Sequence, residues 1–160
     1  MNTPAPPPDD ETWLRRAIAL SAQSRQAGNH PFAALVVALD GAILGQAQNA
    51  HHTDRTCHAE MLALKDASAS WPIERLRSAT LYTSAEPCAM CAGAAYWVGV
   101  GRVVYGLSEE HLLQLTGSHP DNPTLSLPCR AVFAAGQRPV EVVGPLLEDE
   151  AGVPHEGFWR

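Results

Sequence analysis

The stretch Leu81-Tyr82-Thr83-Ser84-Ala85-Glu86-Pro87-Cys88-Ala89-Met90-Cys91-Ala92-Gly93-Ala94-Ala95-Tyr96-Trp97 sets the architecture. Thr80 to Ser84 reads as a strand, and after Glu86-Pro87 an Ala-rich run, Cys88 to Val98, predicts a helix with small residues that permit close packing. Proline at this entry pre-sets φ for a first helical turn and gives up an amide hydrogen that would lack a partner there.

Working outward, the same order recurs. Upstream, Phe32 to Leu39 and Ala42 to Gln46 flank Asp40-Gly41, a pair that suits a type I′ turn, so they predict an antiparallel hairpin. A polar loop, Asn49 to Asp54, leads to Thr56–Ser68, where Ala59, Leu62, Ala63 and Ala67 recur at helical spacing until Trp71-Pro72. Further upstream, Trp13, Leu14, Ala17, Ile18 and Ser21 predict a first helix from a cap at about Asp10 to a stop at Gly28. Downstream follow a strand at Arg102–Tyr105, a short helix at Glu109–Leu115 and a fifth strand at Val140–Val143. Alternating strands and helices after a hairpin imply an α/β fold, a three-layer α/β/α sandwich around a central five-stranded mixed sheet. Residues 1–9, rich in proline, read as a disordered lead-in, 10–145 as one catalytic domain and 146–160 as a C-terminal tail.

The chain has 160 residues, enough for one substantial core. No apolar run approaches the roughly 20 residues that span a bilayer, and the first residues lack a signal-peptide pattern, so the expectation is a cytoplasmic protein without membrane contact. The net charge is −6 and Lys65 is the single lysine, which disfavours nucleic acid as a partner and favours a small, weakly charged ligand. Arg15, Arg16 and Arg25 read as a solvated helix face.

Four cysteines in such a compartment are hydrophobes, redox thiols or metal ligands. Cys88 and Cys91 lie three residues apart at a helix start, on one face, where helix amides favour thiolates. His58-Ala59-Glu60 opens the preceding helix. Read singly, the histidine is a cap, the glutamate serves the helix dipole and the cysteine pair is redox-active or accidental. Read together, consecutive helix starts meet at one sheet edge, and two thiolates plus one imidazole leave tetrahedral zinc a fourth position, the mark of a catalytic rather than structural site. Glu60 is then the carboxylate beside that position. His-x-Glu followed by Pro-Cys-x-x-Cys is the signature of zinc deaminases. Cys57 as a fourth ligand would close the site, but adjacent helical residues point about 100° apart, which makes sharing one ion with His58 awkward; Cys129 reads as a small buried hydrophobe.

At these residues the chain resembles the cytidine deaminase-like superfamily, in the branch containing guanine deaminases, yeast-type cytosine deaminases and tRNA adenosine deaminases. The resemblance runs from about Trp13 to Tyr105 and rests on Pro31-Phe32-Ala33-Ala34, Asp54 to Glu60 and Leu81 to Trp97. It implies one zinc ion per subunit on His58, Cys88 and Cys91, with Glu60 as the catalytic proton shuttle. It further implies Asn49 as the residue that orients the base, Phe32 in the pocket wall, and Ala59 and Glu86 with backbone groups near the substrate. Asp121 is the candidate for a second acidic residue, and Arg55 stands where relatives usually have proline. Phe158 and Trp159, two aromatics on a polar tail, either form a lid over the site or pack on their own domain. The implied activity is hydrolytic deamination of an amino-substituted heterocycle by a homodimer. Guanine or a related purine comes first, then cytosine-type or triazine rings, then adenosine in tRNA. The rival from another class is a non-enzymatic zinc-stabilised interaction module.

Overall fold

The computed structural model describes residues 9–117 and 119–160; the proline-rich lead-in, apart from Asp9, lies outside the described residues. Five strands, β1 (Ala33–Val37), β2 (Ile43–Gln48), β3 (Thr80–Ala85), β4 (Arg102–Leu107) and β5 (Glu141–Val143), form one sheet in the order β2-β1-β3-β4-β5. Strand β1 pairs antiparallel with both β2 and β3, whereas β3, β4 and β5 run parallel. Central β1 is apolar and buried along its whole length because both of its faces are covered.

Among the described residues seven α-helices flank the sheet: α1 (Asp10–Gln26), α2 (Ala59–Ser70), α3 (Ile73–Arg77), α4 (Ala89–Val98), α5 (Glu109–Thr116), α6 (Cys129–Ala134) and α7 (Glu148–Gly152). Strand residues Ala34, Val36, Leu81 and Val103 pack against Ala63, Leu64, Ala92, Ala95 and Phe133 of α2, α4 and α6. On the other face, Leu35, Val37, Tyr82 and Val104 meet Leu14, Ala17, Ile18, Leu112 and Ala151 of α1, α5 and α7. These are the three layers expected from the strand and helix order. Among the described residues no helix is long and apolar enough to cross a membrane.

Local differences from the sequence reading have physical causes. Asp9, not Asp10, caps α1, its carboxylate accepting from Thr12 N at 2.8 Å. Asp10 is instead bound at 2.6 Å by both terminal nitrogens of Arg102 and at 2.8 Å by the Tyr82 hydroxyl, which ties the start of α1 to β3 and β4. The hairpin turn is not type I′. Only Gly41 has a positive φ, +83°, and Gly41 N donates to Ala38 O, so a three-residue loop closes on a left-handed glycine while Asp40 Oδ1 accepts from Ala42 N. Pro87 precedes the cap of α4 rather than occupying its first turn, because Cys88 is the cap. Helices α3 and α6 are only five and six residues long, too short to show a period. Residues 146–160, read as a tail, contain α7, with Ala151 fully buried against the sheet.

Topology positions the site. Both β2 and β3 oppose β1, so they point the same way, and β4 follows β3. The turns from β2 to α2, β3 to α4 and β4 to α5 therefore lie at one edge of the sheet. Helix α2 rests on β2 at Gly45, where a Cβ would stand 2.2 Å from the Ala63 carbonyl oxygen. Gly45→Ala is therefore expected to lower stability by about 1–3 kcal/mol, visible as a lower urea midpoint with an unchanged m-value; an unchanged midpoint would contradict this contact.

Candidate active site

His58 and Cys88 are the caps of α2 and α4, each in extended conformation. That geometry turns their side chains out of the helix axis and across the sheet edge toward each other. Cys91, one turn into α4, is fully buried. The Nδ1 atom of His58 stands 3.6 Å from Cys88 Sγ and 3.5 Å from Cys91 Sγ, and the three ligand atoms fall within 4.8 Å of one another. A tetrahedral ion with bonds of about 2.3 Å to sulfur and about 2.05 Å to nitrogen requires an S···N edge of about 3.6 Å. The donor set and both S···N distances thus fit zinc. Cys57 and Cys129 are outside this cluster; Cys129, the first residue of α6, is buried, and burial pushes its thiol up to about 12.

Protonation suits a metal site. Hydrogen bonding from the Cys91 thiol, joined by His58, draws Cys88 down to about 4, so one thiolate is ready at neutral pH. The same contact and burial raise Cys91, whose proton a metal must displace. Hydrogen bonding to Cys88 raises His58.

Glu60, in the first turn of α2, is 5% exposed. Burial raises its pKa. Its Oε2 lies 3.7 Å from Cys91 Sγ, beside the ligand cluster, and its Oε1 lies 2.7 Å from Thr83 Oγ1. That hydroxyl is also 2.8 Å from Ala85 O. One hydroxyl proton cannot serve both oxygens, and a carbonyl cannot donate. With Glu60 ionised the threonine donates to the carboxylate; with Glu60 protonated it accepts from the carboxyl and donates to Ala85 O. Both protonation states are accommodated without moving an atom.

These groups face a cavity lined by His30, Phe32, Asn49, His51, Glu86, Glu109, Leu112, Asp121 and Asn122 beside His58, Glu60 and Cys88. Asn49, Phe32, Glu86 and Asp121 thus lie where the sequence placed candidate substrate contacts, Asp121 on the exposed rim. Ala59 is fully buried under the site and does not line the cavity. Asn49 is buried, its Oδ1 accepting from His51 N at 2.9 Å, which leaves its NH2 group to donate. The Glu86 side chain accepts from Glu109 N and Cys129 N, at 3.1 and 2.9 Å, and so holds the starts of α5 and α6.

Phe158 and Trp159 are absent from the cavity lining. They pack behind it: the Trp159 ring meets His30 at 5.0 Å and Phe32 at 6.1 Å between centroids, and its Nε1 donates to His155 Nδ1. Of the two sequence readings for the tail, packing on its own domain describes this arrangement. Residues not singled out from the sequence also line the wall. His30 stacks on His51 at 4.4 Å, and burial followed by that neighbour brings it down to about 4, so it is neutral. Glu109 opens α5. Its signal was available, since the third strand-to-helix turn at the same edge brings its first helical residue to the site.

The cytidine and deoxycytidylate deaminase zinc-binding region matches residues 7–107. The chain belongs to that family. This deaminase is 42% identical over 151 residues to a probable cytosine deaminase of Schizosaccharomyces pombe, covering 94% of this chain and 92% of the relative. It is 37% identical over 159 residues to a tRNA-specific adenosine deaminase of Bacillus subtilis, covering 94% and 89%. In structure it is similar to the guanine deaminase of Nitrosomonas europaea, with a TM-score of 0.77 and 26% identity over 98% of this chain and 88% of that one. Zinc is the family's metal, and the deaminase's own three ligands fit it.

Replacing Cys57 and Cys129 together by serine is expected to leave one zinc per chain, whereas His58→Ala or Cys88→Ser abolishes tight binding. Elemental analysis of dialysed protein reads this directly, and zinc loss from the double variant would contradict the ligand set.

Proposed function

We propose that this deaminase hydrolyses the exocyclic amine of a free nucleobase-like ring, with guanine or a related purine as first choice. The observation that carries the reading is Glu60: a buried carboxyl that can hold or release a proton, beside the metal-ligand cluster and at the wall of the cavity. In the reaction water adds to the ring carbon bearing the amine, the C–N bond breaks, ammonia leaves and a carbonyl remains. Zinc, when bound, supplies a Lewis acid that lowers the pKa of water from about 16 to about 7. Glu60 Oε2 takes one proton from water and passes it to a ring nitrogen, then takes the second from the hydroxyl of the ring adduct and delivers it to the leaving amine as the C–N bond breaks and the carbonyl forms. Thr83 keeps Oε1 fixed during these transfers. The Asn49 NH2 group donates to the ring, and Phe32 and Leu112 provide apolar walls that exclude bulk water.

Charge favours a free base over a polynucleotide. The cavity wall carries Glu86, Glu109 and Asp121 and, among the described residues, no lysine or arginine. Phosphate contacts are disfavoured in such surroundings. A second reading, cytosine, has support from the 42% identity to the probable cytosine deaminase. The interaction-module reading fails to account for a cavity opening onto the ligand cluster. We also infer a cytoplasmic homodimer, for which Trp97, 84% exposed on α4, supplies an apolar contact.

Glu60→Ala is expected to keep one zinc per chain and to lower kcat/KM by at least about a thousandfold; normal turnover in that variant would remove the role given to Glu60. Ammonia release from the zinc-loaded enzyme, screened over guanine, cytosine, adenine, their nucleosides, pterins and aminotriazines, names the ring. Guanine should lead. Tight, salt-sensitive binding of tRNA with turnover on it would overturn the free-base reading.

A further inference from the structure

The cavity wall contains a carboxyl that neither the fold nor the chemistry above uses. Glu109 is 8% exposed, and its Oε2 is buried with no hydrogen-bond partner among the described residues. The two other buried or half-buried carboxyls of the wall are engaged: Glu86 accepts two backbone amides, and Glu60 is anchored by Thr83. Leaving a carboxyl oxygen buried and unpaired is unfavourable, more so if it is charged.

The helix does not need this side chain. Ser108 caps α5, its Oγ accepting from His111 N at 3.2 Å, and the Glu109 amide is already bound by Glu86 Oε1. Glu110, the next residue, is exposed and offers the dipole the same negative charge. What the surroundings do achieve is placement. Glu86 Oε1 accepts the Glu109 amide and Ser108 caps the same helical turn through His111 N, which fixes the backbone from which Glu109 joins a wall shared with His58, Cys88, Asp121 and Asn122.

We propose that Glu109 is a specificity residue whose carboxyl accepts a hydrogen bond from a ring N–H of the substrate, a donor distinct from the amine that leaves. The inference rests on the base-deaminase reading above. A carboxyl offers an acceptor oxygen whether or not it is protonated, so the pairing requires only that the ring present N–H at that point. The substrate class is accordingly an amino heterocycle carrying a second, unsubstituted N–H. Rings methylated at that nitrogen, and nucleosides in which it bears the sugar, are rejected. A buried group left unpaired by the wrong ring is what makes such rejection strong.

The test uses the zinc-loaded protein, with calorimetric binding and ammonia release measured for guanine, 1-methylguanine, 9-methylguanine, cytosine and 1-methylcytosine. Wild type should bind the parent ring at least about a hundredfold more tightly than one of its methylated forms. Glu109→Leu should lose that margin by weakening the parent alone, with zinc content unchanged. Glu109→Gln, which keeps a carbonyl oxygen in the same place, should recover part of it. Wild type that does not distinguish the methylated rings, or a leucine variant that weakens parent and methylated rings equally, would overturn the proposal. Absence of ammonia release from every ring, with the binding margin intact, would instead overturn the base-deaminase reading and leave Glu109 as a recognition residue. Failure to bind any ring overturns both.

Discussion

Two helix starts set 3.5 to 3.6 Å between one imidazole nitrogen and two sulfurs, and the remainder of the molecule is arranged to keep that spacing. A tetrahedral metal tolerates little error in such an edge. Loops alone would not hold it. Here the ligands stand at the starts of two helices packed on the sheet, α2 and α4, so the error permitted at the site is close to that of the core itself. Strand β1, inserted antiparallel between β2 and β3, makes the two turns face the same edge, and Gly45 lets α2 lie close enough for His58 to reach.

The same edge concentrates buried acid. Glu60, Glu86 and Glu109 come from three successive strand-to-helix turns, and each has a different environment because its partners differ. Glu86 accepts two amide hydrogens and acts as a brace. Glu60 has one threonine and a neighbouring thiol, and burial raises it. Glu109 has no partner at its inner oxygen among the described residues, and burial together with Cys88 and Glu86 pushes it up to about 8. Three glutamates within one cavity thus differ in partners, two backbone amides for Glu86, one hydroxyl and a nearby thiol for Glu60 and an unpaired inner oxygen among the described residues for Glu109, a division set by hydrogen-bond supply rather than by residue type.

Much of this could be read from the sequence, and the exceptions share a cause. Strands bounded by Asp40-Gly41 and by Glu86-Pro87, and helices α1, α2, α4 and α5, announce themselves through periodicity and turn residues. His58, Glu60, Cys88 and Cys91 stand out because their spacing within two short motifs is itself informative. Helices α3, α6 and α7, each of five or six residues, carry no period, and the turn at Gly41 depends on one dihedral that Asp-Gly does not determine. His30 and Glu109 enter the site through tertiary packing: each is unremarkable among its neighbours until the strands are ordered. Phe158 and Trp159 did announce an anchored tail, but only the fold shows it backing His30 and Phe32 instead of entering the cavity.

The central claim is that two thiolates and one imidazole hold zinc with a fourth position left to a light atom. X-ray absorption at the zinc edge of the loaded wild-type protein tests it most directly. The account predicts two sulfurs at about 2.3 Å and two nitrogen or oxygen neighbours at about 2.0–2.1 Å. A shell of three sulfurs, with Cys57 or Cys129 drawn in, would make the site a closed structural one and contradict the account.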